Sequence, residues 1–171
     1  MRHQKVHLRR LELSDCRQLA SMADNKKVWD RLRDYFPHPY NEEDARAFIQ
    51  LTHQESPQQN FAIEYEGIVC GVMGVIIQSD VYQKTGEIGY WLGEPYWGMG
   101  IATIAVNLIS SYGLKDLNLV RVFASVFSSN PASMAVLEKN DFIKEGISRN
   151  AIWKDGQLYD EHRYAKLREI Q

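Results

Sequence analysis

Apolar positions along this chain alternate between two periods, and the switches between them predict its elements. From 6 to 11, Val6-His7-Leu8-Arg9-Arg10-Leu11, apolar and polar residues alternate, which predicts a strand. Ser14-Asp15 then offers an N-cap for a helix through about Ala23. A short helical stretch over 28–33 runs into Phe36-Pro37-His38-Pro39-Tyr40, where two prolines enforce an extended loop. Asn41 with Asp44 three residues on reads as a helix cap, followed by Ala45, Phe48, Ile49 and Leu51 at helical spacing. A meander comes next: strands over 60–65 and 68–77 joined at Glu66-Gly67, and a third over 87–92. Ile101, Ile104, Ala105, Leu108 and Tyr112 then mark one face of a helix over 101–114. The β-branched and aromatic run over 120–127 predicts a buried strand. Asn130-Pro131 opens another helix, with Met134 and Leu137 on its apolar face. Two strands, near 142–152 and 158–167, meet at Asp155-Gly156, a strong hairpin signal. With no repeats or linkers, the pattern predicts one α/β domain over 1–171 with a mostly antiparallel sheet.

Composition narrows the function. A chain of 171 residues with 44% hydrophobic and 25% charged positions is an ordinary globule, long enough to bury a sizeable core. A net charge of -2 gives no expectation of nucleic acid or an anionic membrane as partner. Arg2, Lys5, Arg9 and Arg10 are basic, but Val6 and Leu8 interrupt them, so the segment reads as an edge strand. Cys16 and Cys70 are far apart with no CxxC spacing, and the five histidines form no HExxH arrangement, so neither a disulfide framework nor a metal site is expected. No apolar run reaches the ~20 residues of a membrane span and no signal peptide opens the chain, so the expected location is the cytoplasm.

The most informative stretch is Trp97-Gly98-Met99-Gly100-Ile101-Ala102-Thr103-Ile104, between a predicted strand and a predicted helix. Amides at a helix start lack intrahelical partners and sit at the positive end of the helix dipole, which makes an anion site. Gly98 and Gly100 remove side chains that would hold a phosphate away and allow unusual dihedrals. The stretch therefore points to a phosphorylated ligand.

Three motifs together name a family. The glycine loop resembles Arg/Gln-x-x-Gly-x-Gly/Ala. Ser129-Asn130-Pro131-Ala132-Ser133, leading to Leu137-Glu138-Lys139-Asn140-Asp141-Phe142, resembles an Asn-x-x-Ser helix that ends in a Gly-Phe strand start. Phe36-Pro37-His38-Pro39-Tyr40 with Glu43-Asp44-Ala45 is the third. In this order they resemble the GNAT acetyl-CoA-dependent N-acetyltransferases, closest to the RimJ/RimL branch that acetylates protein N-termini. Trp97 stands where the family usually has Arg or Gln, and Asp141 where many relatives have Gly.

The resemblance implies a mixed, mostly antiparallel sheet of about six to seven strands flanked by helices, splayed at the strands holding Trp91 and Val122. It implies acetyl-CoA as co-substrate, with its pyrophosphate on the amides of Met99, Gly100, Ile101, Ala102 and Thr103. The pantetheine would run beside the backbone of Trp91 and Leu92, whose side chains read as core. The reaction is attack of a neutral amine on a thioester. An α-amine, with a reference pKa of about 7.7–8.0 against about 10.4 for lysine, needs less help from a base. Strand alternation puts Glu87, Gly89 and Trp91 on one face, which makes Glu87 the candidate base; a solvated charge at a strand end is the competing reading.

Many relatives use a tyrosine after the Asn motif as the acid for the thiolate, but Leu137 stands there. Ser133 takes the branch's serine position, as a partner for the sulfur or as an ordinary first-turn serine. Asn130 is a helix cap and, by resemblance, a pantetheine contact. Trp29, Arg31, Arg33, Tyr35 and Phe36 lie in the segment that relatives fold over the acceptor, although loop packing and solvated arginines explain them too. The expected activity is acetyl transfer to a primary amine, with a protein N-terminus as the candidate acceptor, by a monomer or homodimer. The alternatives are a small-amine acetyltransferase and a non-catalytic acyl-CoA-binding regulator.

Overall fold

The computed structural model describes residues 5–169, so Arg2 and His3 lie outside it. In chain order the elements are β1 (Val6–Arg9), α1 (Cys16–Ala23), the one-turn α2 (Lys26–Trp29), α3 (Glu42–Thr52), β2 (Asn60–Tyr65), β3 (Ile68–Ile77), β4 (Thr85–Leu92), α4 (Ile101–Ser111), β5 (Arg121–Phe127), α5 (Pro131–Glu138), β6 (Ile143–Lys154) and β7 (Gln157–Leu167). Seven strands form one sheet in the order β1-β2-β3-β4-β5-β7-β6, with β4 and β5 parallel and the other recorded pairs antiparallel. β1 is the edge strand that its interrupted charges predict.

Three local expectations shift. α1 is preceded by a 3-10 turn, Leu13–Asp15, and its reciprocal cap pairs Glu12 with Asp15 rather than using Ser14. The second helix is a single turn capped by Asn25, whose side chain accepts from the Lys27 amide. Beyond it the chain passes through turns toward Pro37 and Pro39, which exclude helix. In α4 the buried apolar residues are Ile101, Ala105, Val106 and Ile109, whereas Leu108 is exposed. The true stripe is rotated by about one position from the expected one, and the helix widens into a π turn over Tyr112–Asp116. A Cβ at Gly113 in that turn would come 3.0 Å from Val122 Cγ1, a spacing that suits glycine.

Two compact units divide the chain. The first comprises residues up to Gly74 with Tyr90–Ala105; the second comprises Val75–Gly89 with the residues from Val106 onward. In the first, α1 and α3 cover a core that includes Leu11, Leu19, Ile49, Ala62 and Val72. Each large aliphatic side chain buried there contributes roughly 1.5–3 kcal/mol. Asn41 caps α3 as expected, accepting from the amides of Glu43 and Asp44 while Asp44 accepts from the Asn41 amide. β3 and β4 approach closely at Gly71, where a Cβ would lie 2.2 Å from the Trp91 carbonyl oxygen.

Arg9 ties β1 to its neighbours. Its Nη1 and Nη2 each lie 2.9 Å from an Asp15 oxygen, and its Nε lies 2.7 Å from Glu64. Burial raises the Asp15 carboxyl, but the hydrogen bonds from Arg9 and from the Glu12 amide outweigh it and hold the group below its ordinary 3.8. A carboxyl lowered on folding adds stability above its unfolded value, and that stability is lost as pH falls through the folded value. We therefore expect Asp15→Ala to cost about 2 kcal/mol at pH 7, since hydrogen bonds to charged groups are lost. Denaturant melts should show the gap to wild type closing below about pH 4; a gap independent of pH would refute the assignment.

In the second unit β5 pairs with β7 along its whole length, from Arg121↔Leu167 to Phe127↔Glu161. β7 turns back at Asp155-Gly156 to pair with β6. Tyr164 on β7 is fully buried, and its hydroxyl lies 2.9 Å from a Glu138 carboxylate oxygen, which fastens α5 to the sheet.

Candidate active site

The glycine loop is built by what precedes it. A 3-10 turn over Glu94–Tyr96 follows β4, closed by Tyr96 N to the Gly93 carbonyl at 3.0 Å and Trp97 N to the Glu94 carbonyl at 3.1 Å. The Trp97 indole then donates to the Leu92 carbonyl at 2.8 Å, fixing the ring over the end of β4. Gly98 and Gly100 follow with φ of +75° and +78°, and a Cβ on either would meet nothing within 4 Å. Side chains are therefore excluded there by the backbone conformation and not by the protein's own packing. α4 starts immediately afterwards, with the Ile104 amide 3.3 Å from the Gly100 carbonyl, while Gly98, Met99 and Gly100 are exposed. Left-handed glycines leading into a helix start aim successive amides at one concavity, which fits a diphosphate. Ile101 belongs to this start through its backbone, since its side chain is core.

β4 supplies the edge beside the loop. The Gly93 amide donates to the Cys70 carbonyl of β3 at 2.9 Å, so by strand alternation the Trp91 backbone also faces β3. The backbone of Leu92 is turned the other way, and its carbonyl is the one that Trp97 holds. The Trp91 side chain meets Phe36 edge-on at 5.7 Å, which brings the proline loop to β4. Phe36 also stacks on Tyr40 at 4.8 Å, and Trp29 stacks on His38 at 5.7 Å. Tyr35 is 84% exposed and Arg33 is exposed, so of the five expected acceptor residues Phe36 is the one that meets Trp91.

In the second unit β4 pairs with β5 over Thr85↔Arg121, Gly86↔Val122 and Glu87↔Phe123, the last pair of the ladder. Register partners in a parallel pair share a face, so Glu87 lies beside Phe123. Two guanidinium groups flank that ring, Arg121 at 5.8 Å and Arg163 at 5.2 Å from its centroid. Arg121 is in turn bound by Glu145 through both nitrogens, and Arg163 lies 3.1 Å from Glu161. Ser125 follows Phe123 on the same face, and its buried hydroxyl has no hydrogen-bond partner among the described residues. Gly89, two residues after Glu87, has open space where a Cβ would be. Sequence reading passed over Phe123, Ser125, Arg121 and Arg163. Alternation along 121–127 groups three of them, but the parallel register that sets Phe123 beside Glu87 is a long-range pairing.

Asn130 caps α5, its side-chain oxygen 3.3 Å from the Ser133 amide, which leaves its NH2 group for another partner. Ser133 is half-buried in the first turn. Leu137, at the position of the family's tyrosine, is fully buried and belongs to the core.

Among the described residues no group of three or more His, Cys, Asp or Glu is placed to hold a metal, and no helix is long and apolar enough to cross a membrane. Cys16 and Cys70 are both free and buried.

The family description "Acetyltransferase (GNAT) domain" matches residues 5–143. The chain belongs to the GNAT acetyltransferase family. It is an acetyl-CoA-dependent N-acetyltransferase. Its relatives include the ribosomal-protein-serine acetyltransferase of Escherichia coli K12, 31% identical over 94% of this chain and 98% of that protein. The spermidine N(1)-acetyltransferase of the same organism is 28% identical over 89% of this chain and 80% of its own length. Among solved structures, the microcin C7 self-immunity acetyltransferase MccE, in complex with acetyl-CoA and AMP, is 26% identical and superimposes with a TM-score of 0.81 over 96% of this chain and 93% of that one. The GNAT fold and the RimJ/RimL-like relationship implied by the three motifs are therefore confirmed.

Proposed function

We propose that the enzyme, a single GNAT domain, acetylates the α-amine of a protein or peptide N-terminus. The observation that carries this reading is the face holding Glu87. There Glu87 sits beside an aromatic ring flanked by two guanidinium groups, each already paired with a carboxylate of its own, Glu145 or Glu161. A polyamine brings several ammonium groups and no carbonyl oxygen for the Ser125 hydroxyl. A peptide instead brings one amine, for Glu87, and carbonyl oxygens, for which the Ser125 hydroxyl offers a donor. The resemblance to a ribosomal-protein-serine acetyltransferase over nearly the whole of both chains supports the same class.

Acetyl-CoA supplies the activated acetyl group. In this reading the amides of Met99, Gly100, Ile101, Ala102 and Thr103, behind Trp97 and Gly98, hold its diphosphate. Leu92 turns its backbone away from β3 toward the pantetheine, and the Trp91 side chain walls it. Asn130 reaches it through its free NH2 group. Glu87 takes the proton that the amine loses on attack, and Ser133 donates a hydrogen bond to the departing thiolate. Phe36, with Trp29, Arg33 and Tyr35 along the same segment, borders the acceptor.

Thiol release from acetyl-CoA tests the reading on a panel of N-terminal peptides, the same peptides blocked at the N-terminus but carrying lysine, and spermidine. Free N-termini are expected to exceed both others in kcat/KM by at least about tenfold, as about 1.4 kcal/mol of differential binding requires. The spermidine N(1)-acetyltransferase relative makes a small amine the second reading, and a preference for spermidine in this panel would establish it.

A further inference from the structure

The first position of the glycine loop carries an indole where the family motif has Arg or Gln, and the structure sets a cation on that indole. The Arg31 guanidinium lies 4.4 Å from the Trp97 ring centroid. It is delivered by the turn after α2, where the Arg31 amide bonds the Val28 carbonyl at 3.1 Å. The ring cannot swing freely, because its Nε1 is held by the Leu92 carbonyl. α2 is itself tethered to the segment before the loop: Asn25 Nδ2 lies 2.8 Å from a Glu94 oxygen, and Lys27 forms an ion pair with the same carboxylate. Lys27 and Asn25 hold the Glu94 carboxyl below its ordinary value by hydrogen bonding, and Arg31 adds to this through space. Lys27, Arg31 and Glu94 thus sum to one surplus positive charge beside the residue that precedes Gly98.

Stacking on an aromatic ring uses the face of a guanidinium and leaves its in-plane N–H donors available. Those donors form the planar fork that grips phosphate oxygens. We propose that Arg31, plated on Trp97, supplies the cation of the donor's diphosphate site, so that a residue from the α2 turn does the work that the motif assigns to position 97. Arg31 thereby leaves the acceptor set in which its sequence neighbours place it. The proposal rests on the acetyl-CoA reading of the glycine loop.

Isothermal titration with CoA and dephospho-CoA tests it on wild type, Arg31→Ala and Arg31→Lys, with thermal melts confirming that each variant is folded. Arg31→Ala should raise the Kd of both ligands about tenfold, the value of one hydrogen-bonded charge. Arg31→Lys should recover only part of the loss, since an ammonium neither stacks as a plane nor forks. With acetyl-pantetheine as donor, which lacks the diphosphate, kcat/KM of Arg31→Ala should match wild type. Three results overturn the proposal: an unchanged Kd for CoA, a loss seen with CoA but absent with dephospho-CoA, or an equal loss with acetyl-pantetheine. Failure of the wild type to bind CoA would instead remove the loop reading on which it rests.

Discussion

Glu87→Gln is expected to lower kcat/KM for an N-terminal peptide by about 10²–10³ near pH 6.5, within the range that a positioned base contributes. The size of the loss should depend on pH in a way that reports the acceptor. An α-amine with a pKa of about 7.7–8.0 is largely neutral above pH 9, so the mutant recovers most of its deficit there. A lysine-like amine near 10.4 stays protonated and the deficit persists. Glutamine keeps the size and the hydrogen-bonding oxygen of Glu87, so the ladder pair with Phe123 survives and the substitution isolates the proton transfer. The measurement is a pH series of kcat/KM for both enzymes on one peptide. A ratio of rates that is flat from pH 6 to pH 9.5 would leave Glu87 as a structural charge.

Much of this arrangement is legible in the chain because it is local. Asn41 with Asp44, Asn130 with Pro131 and Asp155-Gly156 each fix a boundary within four residues, and each boundary stands where its chemistry puts it. Glu87 and Gly89 alternate with buried Gly86 and Ile88, so the open face of β4 is readable from period two alone. What escapes is set by partners distant in sequence. The parallel register that places Phe123 beside Glu87 joins residues 36 positions apart, and nothing in either segment encodes it. Likewise Arg31 reads with its sequence neighbours as part of the acceptor segment until the tether through Glu94 sets it on Trp97, 66 residues on. The rotated stripe of α4 has a different cause: Ile104, Ala105, Val106, Leu108 and Ile109 are all apolar, so periodicity does not single out the buried side.

The glycine loop gives the other large expected effect, with Gly100→Val as its probe. At φ of +78° a β-branched residue is strained, by about 1–2 kcal/mol, the usual cost of a left-handed non-glycine. A Cβ there meets no protein atom within 4 Å, so the fold has room for the side chain and the variant should remain native, with a melting temperature a few degrees lower. The space the valine fills is the space a phosphate would occupy over the helix start. CoA affinity is therefore expected to fall about a hundredfold, from obstruction of several amide contacts at once, each worth about 1 kcal/mol. Gly67 is the internal comparison, a left-handed glycine at φ of +83° whose Cβ space is equally open but which lies in the β2–β3 turn. Gly67→Val should cost similar stability and leave CoA binding alone. If the two substitutions weaken CoA equally, backbone strain and not occupation of an anion cradle explains the loss, and the loop is not the diphosphate site.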